Sequence, residues 1–375
     1  MRILHLCQQT GWWSLLLWLM AISPAQAERL RVAVAQKVAH VNIAASTLAI
    51  VSDENGLKLG ELQPQTSLAA TATPDAIAVG DSQVQQLWVR PQSGGYVWLS
   101  DGGASPDGGR WYRGAIQVVS TRKQLLAINH VNLEQYLYSV LGAEMSATFP
   151  AEALKAQAVA ARTYAIYRRK STRQKLFDVD STQTSQVYQG ISSEADTTQA
   201  AVNETLGQIL TYGGKPILAA FHAASGGHTE NVEDIWSSRL PYLRGVPDYD
   251  LDTPGSEWSQ TFTLAQLAQS LKVSGLKTIA PDRTTQFGSV VSLKVGGDTT
   301  QIFTGTQVRT ALKLRSLRFT IVPTPAGFAF NGRGYGHGLG MSQWGAYNLA
   351  QQGMKYANIL THYYQGVEIG QLGDK

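Results

Sequence analysis

VNLEQYLYSVLGAEMSATFPAEALKAQAVAARTYA, residues 131–165, divides the sequence into two textures. Upstream of it the apolar residues alternate in short runs. Within it they recur at helical spacing, which predicts helices over 133–141 and 149–169. The second helix opens with Pro150, where a missing N–H costs nothing, and with Glu152, whose charge suits a helix N-terminus. On a wheel of 100° per residue, Leu154, Ala158, Ala161 and Ala165 form one stripe, while Ala153, Ala156 and Ala160 lie on the far side. A helix apolar on so many sides is buried. Lys155 and Arg162 share one side of it. They either pair with carboxylates, for which Glu144, Asp178 and Asp180 are candidates, or reach past the core to solvent.

Working outward, β-type runs are expected at 29–35, 48–52, 86–89, 96–100, 116–119 and 125–129. DGGASPDGGR, residues 101–110, reads as a loop, and the Gln-, Thr- and Ala-rich stretch 63–73 reads as a flexible connection. Beyond the helices come a helix at 196–206, strands at 208–212 and 216–222, a mixed region and a strand at 327–331. A glycine-rich loop and helices at 340–352 and 356–364 close the chain. No internal repeat is expected. The fold class is α+β, with an N-terminal β-rich domain over 28–128 and a mixed helix/sheet core over 129–370.

The chain has 375 residues, 43% of them hydrophobic, with 31 Lys plus Arg against 27 Asp plus Glu. Only 15% are charged, against about 25% in an ordinary soluble domain, which argues against both a disordered chain and a strongly basic nucleic-acid binder. Residues 1–27 have the layout of a secretory signal: Arg2, an apolar run over 12–22 and the small-x-small site Ala25-Gln26-Ala27. A mature chain starting at Glu28, with net charge reduced from +4 to +3 by loss of Arg2, is expected in the periplasm or cell envelope. No second stretch is apolar enough to span a membrane. Cys7, the single cysteine, lies in the signal, so the exported chain has no disulfide, thiolate metal ligand or cysteine nucleophile.

Four segments could carry chemistry. In LGAEM, Glu144 is a lone carboxylate between two helices with Leu141, Met145 and Phe149 nearby, surroundings that raise a pKa toward that of a general acid; capping of the next helix is the competing role. DSTQTSQVYQG, residues 180–190, is rich in hydroxyl and amide groups and could hydrogen-bond a sugar through Gln186 and Tyr188. FHAASGGHTENVEDIW, residues 221–236, holds His222 and His228, the candidate zinc ligands, but lacks HExxH. Its Ser225 sits in ASGG, not in the GxSxG elbow of serine hydrolases. In NGRGYGHGLGMSQWGAYNLA, residues 331–350, glycines alternate from Gly332 to Gly340, a pattern that leaves one face of a strand bare around His337, Gln343 and Trp344.

These four segments, in this order, resemble the stage II sporulation protein D and amidase-enhancer family of bacterial cell-wall proteins. The likeness extends over about 29–369 and is strongest from Asn129 onward. It implies an envelope-facing protein acting on peptidoglycan, in its best understood form a lytic transglycosylase that cleaves glycan strands stripped of stem peptides. Other members look like helpers of the amidases that do the stripping. Position by position, the family's catalytic glutamate falls on Glu144, and the following helix matches through Lys155, Ala156, Gln157, Ala160, Ala161, Arg162 and Thr163. Some relatives hold zinc through His and Cys. Without an exported cysteine this chain departs from that pattern, so no cofactor is expected, and His222 and His228 are the sole weak zinc candidates. Sporulation itself is not implied.

A lytic transglycosylase needs one carboxylic acid, because the sugar's own 6-hydroxyl replaces the second carboxylate of ordinary glycosidases. Glu144 is the expected acid/base. Lys155, Arg162, Gln186, Tyr188, Ser225, His337, Gln343 and Trp344 are the expected substrate-binding set. Peptidoglycan glycan strands and a cell-wall amidase are the expected partners. The alternative is a non-catalytic activator of an N-acetylmuramoyl-L-alanine amidase.

Overall fold

The computed structural model describes residues 28–92, 94–102, 108–171, 176–236 and 238–373. The expected export signal lies outside these residues, as does the middle of the DGGASPDGGR loop. The fold is mixed α+β with a β-rich N-terminal part. A seven-stranded sheet runs in the order Val179–Asp180, Arg29–Val38, Leu125–Asn132, Ala115–Ser120, Gln86–Pro91, Ala49–Ser52, Lys58–Leu62. A six-stranded sheet shares its apolar core: Val41, Ile43, Val97 and Leu99 from this sheet join Leu30, Val32, Leu87 and Val118 from the first. Alternation along the strands drives the arrangement, interrupted in Arg29–Val38 by register shifts after Ala33 and Gln36. Along Arg29–Val38, Leu30 and Val32 turn inward while Arg29 and Arg31 turn out.

Eight helices occur among the described residues: α1 (Leu133–Glu144), α2 (Ala151–Ser171), α3 (Asp196–Glu204), α4 (Val232–Ile235), α5 (Leu264–Leu271), α6 (Gly305–Leu312), α7 (Gln343–Gln351) and α8 (Tyr356–Tyr363). Strand Leu125–Asn132 passes through residues 128 and 129 and leads directly into α1, whose first turn is capped by Asn132 Oδ1 accepting from the Glu134 and Gln135 amides. One apolar core therefore continues from Leu30 through the helices to Val367. Helix α2 is its axis. Its alanines let α1, α3, α7 and α8 approach closely, and Ala153, Ala156, Ala158, Ala160, Ala161 and Ala165 are all fully buried. Among the described residues no helix is long and apolar enough to cross a membrane.

Three sequence expectations need correction. Residues 63–73 are not a flexible connection: Ser67–Ala72 is a strand paired antiparallel with His40–Ala45, its Ala70 fully buried. Pairing and burial override a composition of low β-propensity. The glycines around His337 do not bare a strand face, because the strand ends at Arg333; Gly334, Gly336, Gly338 and Gly340 instead all take positive φ, from 67° to 124°, in a compact loop. The mixed region hides a second folding unit at 257–333, which contains a short repeat. Thr263 and Thr304 each cap a helix through a Thr-x-x-Gln box, and each helix ends at a left-handed lysine, Lys272 or Lys313. This unit has its own core around Trp258, Leu267, Leu293, Val308, Phe328 and Phe330. Arg318 clamps it to the main body, donating to the Gly226 and His228 carbonyls at 3.0 and 2.8 Å and to buried Glu230 at 3.1 Å.

Candidate active site

Where the second unit meets the main body there is a cleft of about 510 Å³, lined by Glu144, Tyr164, Phe221, Trp236, Tyr335 and His337 among others. Glu144 ends α1 rather than lying in a turn, and Met145 is the cap residue. The helix end is held from two sides. Leu137, Val140 and Leu141 anchor it in the core, and Gly142 packs against the Ser193 backbone so closely that a Cβ would fall 1.7 Å from the carbonyl oxygen. Gly142→Ala is expected to cost about 1–3 kcal/mol through overpacking and to lower activity by displacing Glu144; a urea melt and an activity assay on the same sample check both.

The TSQVYQG segment fixes the carboxylate. Gln186 and Tyr188 do not face the cleft but point into the core: Gln186 bonds Tyr136 and the Ala161 carbonyl, and Tyr188 OH donates to Asn129 at 2.8 Å. Between them the Val187 N–H points back and donates to Glu144 Oε1 at 2.8 Å. Their burial thus aims a backbone donor at the acid, while Gln183, Thr184 and Ser185 supply the cleft wall. Burial raises the Glu144 pKa above the usual carboxylate range; the Val187 amide and the Gln343 side chain oppose the shift without reversing it. The Gln343 side chain approaches the carboxyl, but its buried Nε2 makes no hydrogen bond of ordinary geometry among the described residues.

Two imidazoles also line the cleft, His222 and His337, with ring centres 5.3 Å apart. His222 Nδ1 lies 3.1 Å from the Leu339 carbonyl, which can only accept, so its proton is on that nitrogen and the unpartnered Nε2 is a bare acceptor. Gly336 permits this stacking of loop on strand, since a Cβ there would come within 2.6 Å of His222 Cβ. Burial pushes the His222 pKa down to about 4 and moves His337 well down. On the outer face of the seven-stranded sheet, burial and then Arg31 and Arg90 bring His130 down to about 4 as well. All three histidines are neutral in the folded protein where an unfolded chain, with a pKa near 6.5, would take up a proton. The stability these three histidines contribute is therefore complete above about pH 6.5 and falls as the pH drops toward 4; thermal melts across that window check the sign.

The remaining expected site residues lie elsewhere. Arg162 does not pair with Glu144, Asp178 or Asp180 and does not snorkel: its side chain is fully buried and forks onto Glu134, the closest contact being 2.6 Å. Lys155 bonds Glu152 and Glu204 at 3.2 and 2.6 Å. Ser225 is buried beneath the Gly-Gly turn and donates to Asp248 at 2.6 Å. Trp344 packs at a tilt against Phe149, with ring centres 4.9 Å apart, outside the cleft lining. His228 packs flat on Phe287 at 3.7 Å and bonds its neighbour's carbonyl, away from His222. Among the described residues no three His, Cys, Asp or Glu side chains converge as a metal site. Sequence reasoning missed Tyr164, Trp236, Tyr335 and Arg309. Tyr164, Trp236 and Tyr335 lay within the segments singled out above, whereas nothing around Arg309 marked it.

A wider groove of about 700 Å³ crosses the second unit near Trp258 and Arg318. Its charges are already paired, Arg333 with Glu257 at 3.0 Å and Arg318 with Glu230, so the cleft holding Glu144 is the better place for acid–base chemistry.

Comparison with known proteins matches residues 121–212 to the family model for stage II sporulation protein. Stage II sporulation protein D of Bacillus subtilis is 36% identical over 276 residues, covering 68% of this chain and 79% of that one. An uncharacterized protein of Brachyspira hyodysenteriae is 36% identical over 284 residues, covering 73% and 76%. The amidase enhancer of Bacillus subtilis is 32% identical over 288 residues, covering 62% of this chain and 40% of its own length. The chain belongs to the stage II sporulation protein D family.

Proposed function

We propose that this protein is a cell-wall enzyme of the envelope, a lytic transglycosylase that cleaves peptidoglycan glycan strands already stripped of stem peptides, with Glu144 as its single acid/base. The observation that carries the reading is the solitude of that acid. Of the residues lining the cleft, Glu144 is the one carboxylate, and its pKa is raised. Oε1 is engaged by the Val187 amide, so the transferable proton belongs on Oε2. Protonation of the glycosidic oxygen leaves Glu144 as a carboxylate, and the same oxygen then takes the proton from the 6-hydroxyl as it closes on the anomeric carbon. Tyr164, Phe221, Trp236 and Tyr335 provide the flat apolar faces a sugar ring packs against, and Gln183, Thr184, Ser185 and Gln343 provide the amides and hydroxyls it bonds. The family and the likeness to an amidase enhancer support a substrate in the cell wall.

The test is incubation of the purified protein with amidase-stripped glycan and with intact peptidoglycan. Soluble fragments from the stripped strands support the reading. Absence of cleavage, coupled with stimulation of an added cell-wall amidase, transfers the function to the role for which the similar amidase enhancer is named.

A further inference from the structure

Arg309 reaches the cleft from the second unit, on α6, and stands apart from the other buried cations near the site. Arg162 is neutralised by Glu134 and Arg318 by Glu230. Arg309 has no carboxylate partner among the described residues; its Nε is buried and bonds to nothing, and the group that most favours its charge is the phenol of Tyr335. The guanidinium lies close enough to His222 and His337 to push both toward neutrality. Of the residues lining the cleft, Arg309 is the one permanent cation, and the one carboxylate, Glu144, has its pKa raised by burial. A half-buried cation without a counter-ion is costly, and a guanidinium presents a planar fork suited to a carboxylate.

We propose that Arg309 is a specificity-determining residue that binds a carboxylate of the substrate, namely the lactyl carboxylate of a muramic acid residue. The assignment rests on the reading of the cleft as a glycan site. In a strand that still bears its stem peptide that lactyl group is an amide: neutral, with one carbonyl oxygen, and followed by a bulky chain. Removal of the peptide by hydrolysis leaves two equivalent anionic oxygens, one pair per disaccharide. Arg309 thereby distinguishes stripped strands from peptide-bearing ones and from chitin-type chains, which have no lactyl group at all. Selection for the product of an amidase is thus located in a unit of the fold separate from the one that holds the acid.

Binding is measured by calorimetry on the full-length mature protein carrying Glu144→Gln, so that no ligand is consumed. Three probes of equal sugar length are used: a peptide-free GlcNAc–MurNAc oligosaccharide, the same oligosaccharide with stem peptides, and a chito-oligosaccharide. The peptide-free muramyl probe is expected to bind about tenfold or more tighter than the other two, as a charged hydrogen-bonded pair implies. Adding Arg309→Gln should abolish that preference while leaving the chito-oligosaccharide affinity unchanged, and Arg309→Lys should restore part of it and make it more sensitive to salt. A preference that survives Arg309→Gln overturns the assignment and leaves the glycan reading standing. Equal binding of all probes before Arg309 is changed does the same. Failure of every probe to bind overturns both.

Discussion

Glu144→Gln should reduce glycan cleavage by about 10² or more, the range typical for loss of a positioned acid/base, while leaving the melting temperature close to that of the parent protein. The asymmetry follows from what each oxygen does. Oε1 accepts from Val187 N, and a glutamine carbonyl can accept from the same donor. The lost function is the labile proton, which an amide cannot give or regain. The acid is also expected to set the upper limb of the pH profile: activity should fall as pH rises through its pKa, which burial places above the ordinary carboxylate value. Kinetics and a thermal melt on one preparation check the pair. A folded Glu144→Gln protein with full activity would leave Glu144 as merely the end of α1.

The largest effect on stability is expected at Arg162. Its side chain, 0% exposed, forks onto Glu134 and also donates to the Gln208 and Val202 carbonyls at 3.0 and 3.2 Å. It thereby ties α1, α2, α3 and the strand Gln208–Tyr212 to one point. Arg162→Ala removes the cation that neutralises the half-buried Glu134 carboxylate and takes one donor from each of the Gln208 and Val202 carbonyls. A loss of about 3–5 kcal/mol is expected, a large part of the roughly 5–15 kcal/mol available to a typical domain. Urea unfolding followed by circular dichroism measures it. The double variant Arg162→Met with Glu134→Gln should cost less than the sum of the singles, since neither charge is then left alone. A loss below about 1 kcal/mol for Arg162→Ala would mean that water reaches the pair and replaces it.

The residues that proved easiest to read in the sequence are those whose role is local. The 3.6-residue period of α2 announced a buried helix, and the apolar neighbours of Glu144 announced a carboxyl with a raised pKa. What failed was direction across space. The polarity of TSQVYQG suggested a sugar-binding loop, yet Gln186 and Tyr188 point inward, because Tyr136, Ala161 and Asn129 from three other elements supply buried partners. The sequence puts Arg162 on a largely buried helix and leaves open whether it pairs with a carboxylate or reaches solvent. Its partner, Glu134, sits one helix back at the start of α1, a pairing set by the crossing of two helices rather than by any pattern along the chain. The second unit escaped notice for a related reason: its repeat lies in two capping boxes, at Thr263 and Thr304, with little identity between them. Arg309 could not be distinguished from an ordinary surface arginine of an amphipathic helix until the fold placed it beside His222 and His337.

Mass spectrometry of the products from peptide-stripped glycan tests most directly whether a lone carboxylic acid does the chemistry. Intramolecular attack by the 6-hydroxyl predicts fragments ending in a 1,6-anhydro-muramic acid, lighter by one water than hydrolysis products, and predicts their loss in Glu144→Gln. Fragments with ordinary reducing ends would show that water was the nucleophile, contradicting the account in which the 6-hydroxyl attacks and Glu144 alone moves the proton.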